Sequence, residues 1–387
     1  MSQSSYMFFS THLFTGRLAL KLVENKLSVV HKSSVIAGVH HCILWASDPL
    51  QSLIEAHEVG RKVGEQTGDF LYSSLNWHCS SLTAYYSGQN LDNIKKSMED
   101  YIMTMHSRNG RVFVGGSILL YHQARVLKEG LDAKPSNNIP SEEEALQLFS
   151  NPLFLTNNKI SQLVRAYLFR RFGDLQSLDI VDISDVIKRN KQHLFAFLLF
   201  GIFVEGLASF LLARQTTNVS ERSRWIEKGE NVLTKMRYWS EHSSWNWESK
   251  MVLLEAEKMY MMGNFDQAAL LYERAIRLSH EHKFINDEAI ASELAGIFFC
   301  ERGLNDMKAE ALLLHSVQSY KTWGALAVAR RVETYIANKY GLDSVRLSSV
   351  LPQRYFQKKC QQKPKYIASI LESNNDSSKK RQVSGVK

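Results

Sequence analysis

The chain has 387 residues, of which 44% are hydrophobic and 22% are charged, and it carries a formal net charge of +8. This length allows more than one compact domain or one elongated array, and the composition is typical of a soluble globular protein. Only six prolines occur, and the long periodic stretches are rich in leucine and alanine, which argues against a fold of many short strands and predicts an all-α protein.

The start of the chain has no positively charged segment before an apolar core, so we expect no signal peptide. Four cysteines are scattered without any Cys-x-x-Cys pair: Cys42, Cys79, Cys300 and Cys360. This spacing predicts reduced thiols in a cytoplasmic protein, and neither a disulfide framework nor a zinc site.

Two helices are predicted in the first third of the chain. The first covers residues 92–105, with Asp92 as the expected N-cap and an apolar face at helical spacing. That face consists of Ile94, Met98, Tyr101, Ile102 and Met105. The second covers residues 112–131 and ends at Gly130. We therefore predict an N-terminal helical repeat segment over residues 1–133.

The clearest internal break lies at residues 132–140, where Pro135, Pro140 and paired asparagines cannot easily continue a helix. Ser141 and Glu144 then occupy the positions of a capping box, which predicts that a new helix begins after Ser141. We expect a second, tetratricopeptide-like helical segment over residues 141–345.

Residues 194–213 are almost wholly apolar, and their length alone would permit a membrane span. Glu205 lies near the middle, where a charge costs roughly 2.5–3.5 kcal/mol in a membrane helix. Gly201 and Gly206 would allow close packing of neighbouring helices. We predict a buried helix here and no membrane span.

From about Asp185 onward the predicted helices come in pairs, and one pair is repeated. Gly263 and Gly303 each end a helix, as expected for a residue that tolerates positive φ. Small or space-filling residues then recur at matching positions of the following helix, namely Ala268, Tyr272 and Ala275 in one copy and Ala309, Leu313 and Ser316 in the other. The pattern predicts an α-solenoid of antiparallel helix pairs, with about 14 helices in all.

Most of the positive charge lies at the end of the sequence. Residues 351–387 hold nine basic and two acidic residues, so their charge of +7 leaves only +1 for the preceding 350 residues. A basic tail can contact RNA, a membrane or an acidic partner, but residues 373–381 have almost nothing apolar to bury. We predict a disordered tail over residues 346–387 and expect no nucleic acid as a partner.

Packing residues over residues 239–340 follow one another in a recognisable order: Trp239, 246–250, 253–257, Gly263, 268–276, 287–295 and 320–325. They resemble the tetratricopeptide-like region of very large signalling proteins. Those proteins join a serine/threonine-kinase-like domain, an AAA-type predicted ATPase, a long helical array, a GAF domain and a histidine kinase. Gly16, Trp45 and Gly88 extend the resemblance to residues 10–342. Lys308 and Ser316 depart from the pattern, and the enzymatic domains are missing from this sequence.

The sequence holds no motif for nucleotide binding or catalysis. A Gly-x-x-x-x-Gly-Lys loop, the kinase His-Arg-Asp and Asp-Phe-Gly motifs and a Gly-x-Ser-x-Gly elbow are all missing. Gly115 and Gly116 predict a helix start or helix packing, and residues 172–174 predict the end of a helix. We predict no catalytic residue and no cofactor-binding residue.

Histidines and aromatic residues leave two questions open. His40 with His41, and His280 with His282, are spaced so that each pair points to different faces of a helix, which predicts no metal site. Four aromatic residues cluster near residue 240: Tyr238, Trp239, Trp245 and Trp247. They either interlock two helix pairs or line a groove for a partner peptide.

The sequence thus predicts a non-catalytic helical-repeat scaffold for protein–protein interaction or coupling in intracellular signal transduction, without a cofactor. The resemblance implies protein partners, with ATPase, kinase or GAF modules as candidates. The alternative is a fragment of a multidomain ATPase/kinase signalling enzyme whose ATP-binding and kinase domains lie outside this chain. A third hypothesis is a membrane-attached helical protein.

Overall fold

The computed structural model describes residues 3–24, 30–108, 110, 113–133, 138–149, 152–177 and 196–341. Over these residues it contains sixteen α-helices, one short 3-10 helix and no strand, which confirms the all-α prediction. The described helices exceed the expected number by two, and one of them has only six residues, too few to show a helical period. The predicted tail, residues 346–387, lies outside the described residues.

The helices are, in chain order, α1 Gln3–Glu24, α2 Lys32–Cys42, α3 Leu50–Thr67, α4 Phe70–Tyr86, α5 Leu91–Ser107, α6 Val114–Glu129, α7 Glu142–Leu148, α8 Pro152–Leu168, α9 Phe172–Ser177, α10 Ala196–Gln215, α11 Val219–His242, α12 Ser244–Met261, α13 Phe265–Glu281, α14 Ile285–Arg302, α15 Asp306–Trp323 and α16 Leu326–Tyr340. Consecutive helices pack in pairs, most extensively α3 with α4, α5 with α6, α10 with α11, α12 with α13 and α14 with α15. This stacking of helix pairs is the predicted solenoid-like arrangement.

Two compact units follow from the contacts between residues. The first, Met1–Ile336, includes helices from both sides of the predicted break at residues 132–140. Of the second, Ala337–Lys387, the structure describes Ala337–Gly341, which includes the end of α16. Below, the N-terminal half means residues 11–133 and the C-terminal half means residues 196–336, both within the first unit.

The predicted apolar face of α5 is confirmed, because all five of its residues are buried. The predicted cap is wrong: α5 begins after Asn90, whose Oδ1 accepts from the backbone N–H of Asp92 at 2.9 Å. Helix α6 ends at Gly130, which has a φ of 120°, as expected. The capping box before α7 is also confirmed, since Ser141 Oγ accepts from the Glu144 N–H at 3.1 Å and Glu144 accepts from the Ser141 N–H at 2.7 Å.

The internal repeat has the predicted geometry. Gly263 and Gly303 adopt left-handed backbone conformations, with φ of 81° and 60°. The six predicted packing positions of α13 and α15 are all buried: Ala268, Tyr272, Ala275, Ala309, Leu313 and Ser316. Close approach extends to Gly296 of α14, where an added Cβ would lie 2.7 Å from Leu313 Cγ.

Helix α10 contains the predicted apolar run and lies among α4, α8, α9, α11 and α12. Its window Leu198–Gln215 is long and apolar enough to cross a membrane, and 89% of that window is buried among the other helices. Glu205 is 1% exposed and forms an ion pair with Lys228 of α11 at 2.8 Å. The charge that would be costly in a membrane therefore has a partner in the neighbouring helix.

A second local prediction, besides the cap of α5, is also wrong. Residues 172–174 begin the short helix α9 and do not end the preceding one. Helix α8 already ends at Leu168, and Arg170 takes up the left-handed conformation, with a φ of 56°, that a glycine was expected to supply. The side chain of Arg170 stays in place through an ion pair with Glu293 of α14 at 2.8 Å.

Candidate functional site

The C-terminal half buries several ion pairs along α12 and α14. Lys250 of α12 and Asp287 of α14 are each 1% exposed, and their Nζ and Oδ2 atoms are 2.6 Å apart. Lys250 also donates to the Asn246 carbonyl at 3.0 Å and lies 3.9 Å from the centre of the Phe284 ring. Burial raises the pKa of Asp287, and Lys250 only partly offsets this effect. The two charges therefore neutralise each other, but their attraction does not fully offset the free-energy cost of burying them.

Two further carboxylates on the same helices bind arginines from outside the repeat. Glu257 of α12 accepts from Arg214 of α10 at 2.6 Å and from the Tyr272 hydroxyl. The second carboxylate is that of Glu293 on α14. These contacts show that α10 lies against the first helix of the repeat and is held there by charge as well as apolar packing.

Glu293 of α14 is the centre of the largest of these networks. Its carboxylate accepts from Arg170 at 2.8 Å, from Arg331 at 2.7 Å and from the Tyr320 hydroxyl at 2.9 Å. Burial alone would raise the pKa of Glu293, but the two arginines outweigh it and lower the pKa from 4.5 to about 2. Glu293 thus joins the segment after α8, helix α15 and helix α16.

The N-terminal half covers the same helices of the repeat. Asn246 of α12, fully buried, accepts from the Leu50 N–H at 3.0 Å and donates to the carbonyls of Trp45 and Asp48 at 3.1 and 2.8 Å. Gly88 lies against Asn286 of α14 so closely that a Cβ would be 2.5 Å from its Oδ1. The two halves therefore meet in a seam, which we define as the contacts of residues 45–51 and 88–91 with the C-terminal half.

The predicted aromatic cluster belongs to this seam. The rings of Trp239 and Trp247 lie 5.4 and 6.3 Å from that of Trp45. Trp245 donates from Nε1 to Gln51 Oε1 at 3.1 Å and stacks on His282 at 4.7 Å. The cluster therefore packs helices together, as in the first interpretation. Its partners include Trp45 and Gln51 of the N-terminal half as well as residues of the neighbouring helix pair. Trp247, at 1% exposed, is covered by the chain itself, so the structure does not support a peptide groove at this position.

The members of the pair His280 and His282 have different neighbours, whereas the rings of His40 and His41 both lie near His57, with centroids 5.9 and 6.4 Å away. His280 approaches Glu288 at 3.2 Å, whereas His282 faces Trp245. His40 hydrogen-bonds through Nδ1 to the Ile36 carbonyl at 2.9 Å. His41 meets His57 and Cys79, and the ligand atoms of these three residues all lie within 4.8 Å of one another.

This His–Cys cluster joins α2, α3 and α4, and two of its three residues are fully buried. His57 and Cys79 are 0% exposed, and His41 is partly exposed. Burial lowers the pKa of His41 to about 3, with further lowering by His57 and His78. Burial lowers the pKa of His57 to about 4 and raises that of Cys79 well above its usual value. At neutral pH the cluster therefore consists of neutral imidazoles and a protonated thiol.

Sequence reasoning missed this cluster because it compared histidines within one helix. A signal was nevertheless present: the dipeptide His-Cys occurs twice, at His41–Cys42 and at His78–Cys79. His78 itself turns away and hydrogen-bonds through Nδ1 to Ser117 Oγ of α6 at 2.9 Å. The glycines expected to serve packing do so, since Gly116 faces His78, and a Cβ on Gly115 would lie 2.9 Å from the Phe149 ring.

Apolar side chains are exposed along one face of α1. Phe14, Leu18 and Leu22 are 70%, 45% and 47% exposed and follow one another at steps of one helical turn. Gly16 and Val23 are buried on another face, and Gly16 lies against Val39 of α2 and Ile43. Among the described residues, α1 thus has one face packed on the array and one apolar row exposed to solvent.

No protein-family model matches this chain, and a comparison with curated proteins found no relative. The resemblance to the helical region of large signalling proteins therefore stays a prediction.

Proposed function

We propose that this chain is a non-catalytic helical-repeat scaffold that works in the cytoplasm, by protein–protein interaction or coupling in signal transduction. The observation that carries the proposal is the exposed apolar row of α1, formed by Phe14, Leu18 and Leu22. Stacked arrays bury the faces of their helices against neighbouring helices, so an exposed row of this kind is suited to a further protein helix.

The inner helices of the repeat support this placement of the binding surface. Repeat arrays commonly bind partners on their inner faces. Here α12 and α14 are covered by the N-terminal half through Asn246 and Asn286 and by α10 through Glu257. A partner therefore has better access to the first helix than to these inner helices.

The partner we propose is an ATPase module, because the resemblance places a predicted ATPase before the helical array. In this chain such a module would have to bind in trans. A row at successive helical turns matches the spacing with which one amphipathic helix packs on another. Kinase and GAF modules are the other partners that the resemblance suggests.

Binding of purified modules tests the proposal. ATPase, kinase-like, GAF and histidine-kinase modules of the resembled proteins would be titrated by calorimetry against the chain and against a variant carrying Phe14→Glu, Leu18→Glu and Leu22→Glu. We expect the ATPase module to bind, and the variant to bind at least about tenfold more weakly, a loss of ~1.4 kcal/mol. The control is Val219→Glu, which changes a still more exposed apolar side chain, 79% exposed, on α11.

Two results would overturn this proposal. One is that none of the modules binds the wild-type chain. The other is that the triple variant, with unchanged helix content by circular dichroism, binds as tightly as the Val219→Glu control.

The alternative is that the chain is a piece of a multidomain ATPase/kinase signalling enzyme. The resemblance favours it, since the matching region of those proteins is flanked by catalytic domains. Sequencing the full-length transcript decides between the two: a reading frame that continues into a nucleotide-binding loop or a GAF domain establishes the enzyme. In that case the exposed row of α1 would contact the preceding domain of the same polypeptide.

A further inference from the structure

We propose that His41, His57 and Cys79 bind a zinc ion between α2, α3 and α4. Their ligand atoms lie within 4.8 Å of one another. Tetrahedral zinc with Zn–N of about 2.0 Å and Zn–S of about 2.3 Å places its ligands roughly 3.5 Å apart, so only a small contraction is needed. The three residues come from three different helices, and the proposal is independent of the scaffold function above.

The strongest support is the orientation of His57. Asn76 donates from Nδ2 to the carbonyls of Ser33 and Tyr72 at 3.0 and 2.9 Å, and these atoms can only accept. Its Oδ1 must therefore face His57, and it lies 2.9 Å from His57 Nδ1. Nδ1 then carries the proton, which leaves a lone pair on Nε2.

That lone pair is buried and has no hydrogen-bond partner among the described residues. Buried polar atoms are nearly always satisfied, and a bound ion is one of the explanations for an atom that is not. A histidine held through its other ring nitrogen by a carbonyl oxygen is the usual arrangement around a bound metal. Gly60 makes this arrangement possible, because a Cβ there would lie 2.6 Å from the Asn76 amide group.

The donor set selects the type of metal. Two imidazole nitrogens and one thiolate suit Zn²⁺, whereas Ca²⁺ and Mg²⁺ require oxygen ligands. Zinc would displace the proton of the Cys79 thiol, so that binding releases that proton to solvent.

The cluster has an entry path at its edge. His41 is partly exposed and Cys42, the next residue, is exposed, so solvent reaches this side of the site. A water molecule from this side completes the four ligands. The ion would connect α2, α3 and α4, so it would stabilise the folded chain by mass action when it binds.

Cobalt substitution tests the site. The full chain would be reduced with a phosphine, freed of metal with a chelator and titrated with Co²⁺, followed by displacement with Zn²⁺. We expect one ion per chain and an ultraviolet thiolate-to-cobalt charge-transfer band, which only a cysteine ligand produces. Zinc should also raise the midpoint of thermal unfolding.

Matched variants identify the ligands. Cys79→Ser should abolish the charge-transfer band, and His41→Gln should weaken zinc binding at least tenfold. Asn76→Ala should weaken it by about 10–100-fold, as is usual when the residue that orients a ligand is removed. The controls are His78→Gln, a buried histidine next to Cys79, and the pair Cys300→Ser with Cys360→Ser; both should keep the band.

Several outcomes would overturn the proposal. These are the absence of a charge-transfer band in the wild-type chain, a band that survives in folded Cys79→Ser, or a band lost with Cys300 and Cys360. If Cys79→Ser does not fold, X-ray absorption of the zinc-loaded wild-type chain decides: any set other than one sulfur with nitrogen or oxygen ligands, two of them imidazole, rules the site out.

Discussion

The N-terminal half buries mainly neutral polar side chains, such as His57, Asn76 and the serines of α4, whereas the C-terminal half buries charged ones, such as Lys250, Asp287 and Glu293. The charged groups form ion pairs with each other, although Asp287 and Arg331 also keep buried polar atoms without a hydrogen-bond partner among the described residues. The neutral groups hold one another in orientation but leave a lone pair on His57. The C-terminal half is thus held together by buried ion pairs, whereas the N-terminal half presents a buried ring nitrogen of His57 that a ligand can use.

The largest effect should come from Glu293→Gln. This change leaves the partly buried side chains of Arg170 and Arg331 without their buried counter-charge, and breaking a buried ion pair in this way costs up to about 3–5 kcal/mol. Urea unfolding of the variant measures the loss of unfolding free energy. Glu273→Gln is the control, because it breaks an exposed pair with Lys308 that should contribute less than about 1 kcal/mol. A similar loss in both variants would contradict the comparison.

Acid should weaken the C-terminal half through the same carboxylate. The pKa of Glu293 is about 2 in the folded chain and 4.5 in its ordinary state, so its contribution is fully present above pH 4.5 and is lost as the pH falls towards about 2. We expect the unfolding free energy of the wild type to fall more steeply over this window than that of Glu293→Gln. Equal slopes in urea titrations at successive pH values would refute this assignment.

A double-mutant cycle on Lys250 and Asp287 should show that losing one charge of a buried pair costs more unfolding free energy than losing both. Lys250→Met or Asp287→Leu alone leaves one buried charge and should cost about 3–5 kcal/mol. The double variant should be more stable than either single variant, because replacing both charges by apolar groups removes the desolvation penalty that the raised pKa of Asp287 reflects. Additive losses in urea unfolding would show that the pair is not coupled.

A smaller effect is expected for Asn76→Ala in the N-terminal half. It removes hydrogen bonds to His57 and to two backbone carbonyls, all neutral, and leaving such groups unsatisfied costs about 1–3 kcal/mol. Urea unfolding of the metal-free chain measures it. A loss equal to that of Glu293→Gln would remove the distinction between neutral and charged polar networks.

The regular parts of the fold could be predicted because they depend on neighbours in sequence. The buried face of α5, the Ser141 capping box and the left-handed Gly263 and Gly303 all follow from spacing within one or two turns. The N-cap of α5 was predicted at the wrong residue. Asn and Asp are both favourable N-cap residues, and the helix begins after Asn90 and not after Asp92. The turn at Arg170 was not predicted, because the side chain of Arg170 is held by an ion pair with Glu293, which is distant in sequence.

The candidate sites could not be predicted in the same way. The seam places Asn246 beside Leu50, 196 residues away in the chain. The His–Cys cluster takes one residue from each of three helices, whereas spacing rules compare residues on one helix. Tertiary packing alone decides which buried histidine faces which cysteine. The exposed row of α1 was not noticed either, because an apolar row in sequence does not reveal whether another helix covers it.

The seam also has a consequence for how the chain is made. A ribosome adds roughly 5–20 residues per second, so the 196 residues between Leu50 and Asn246 take roughly 10–40 s to synthesise. During that time Trp45 and the start of α3 have been produced but their partners on α12 do not yet exist. Chaperone binding to the nascent chain should therefore peak before residue 246 emerges and fall once the seam closes.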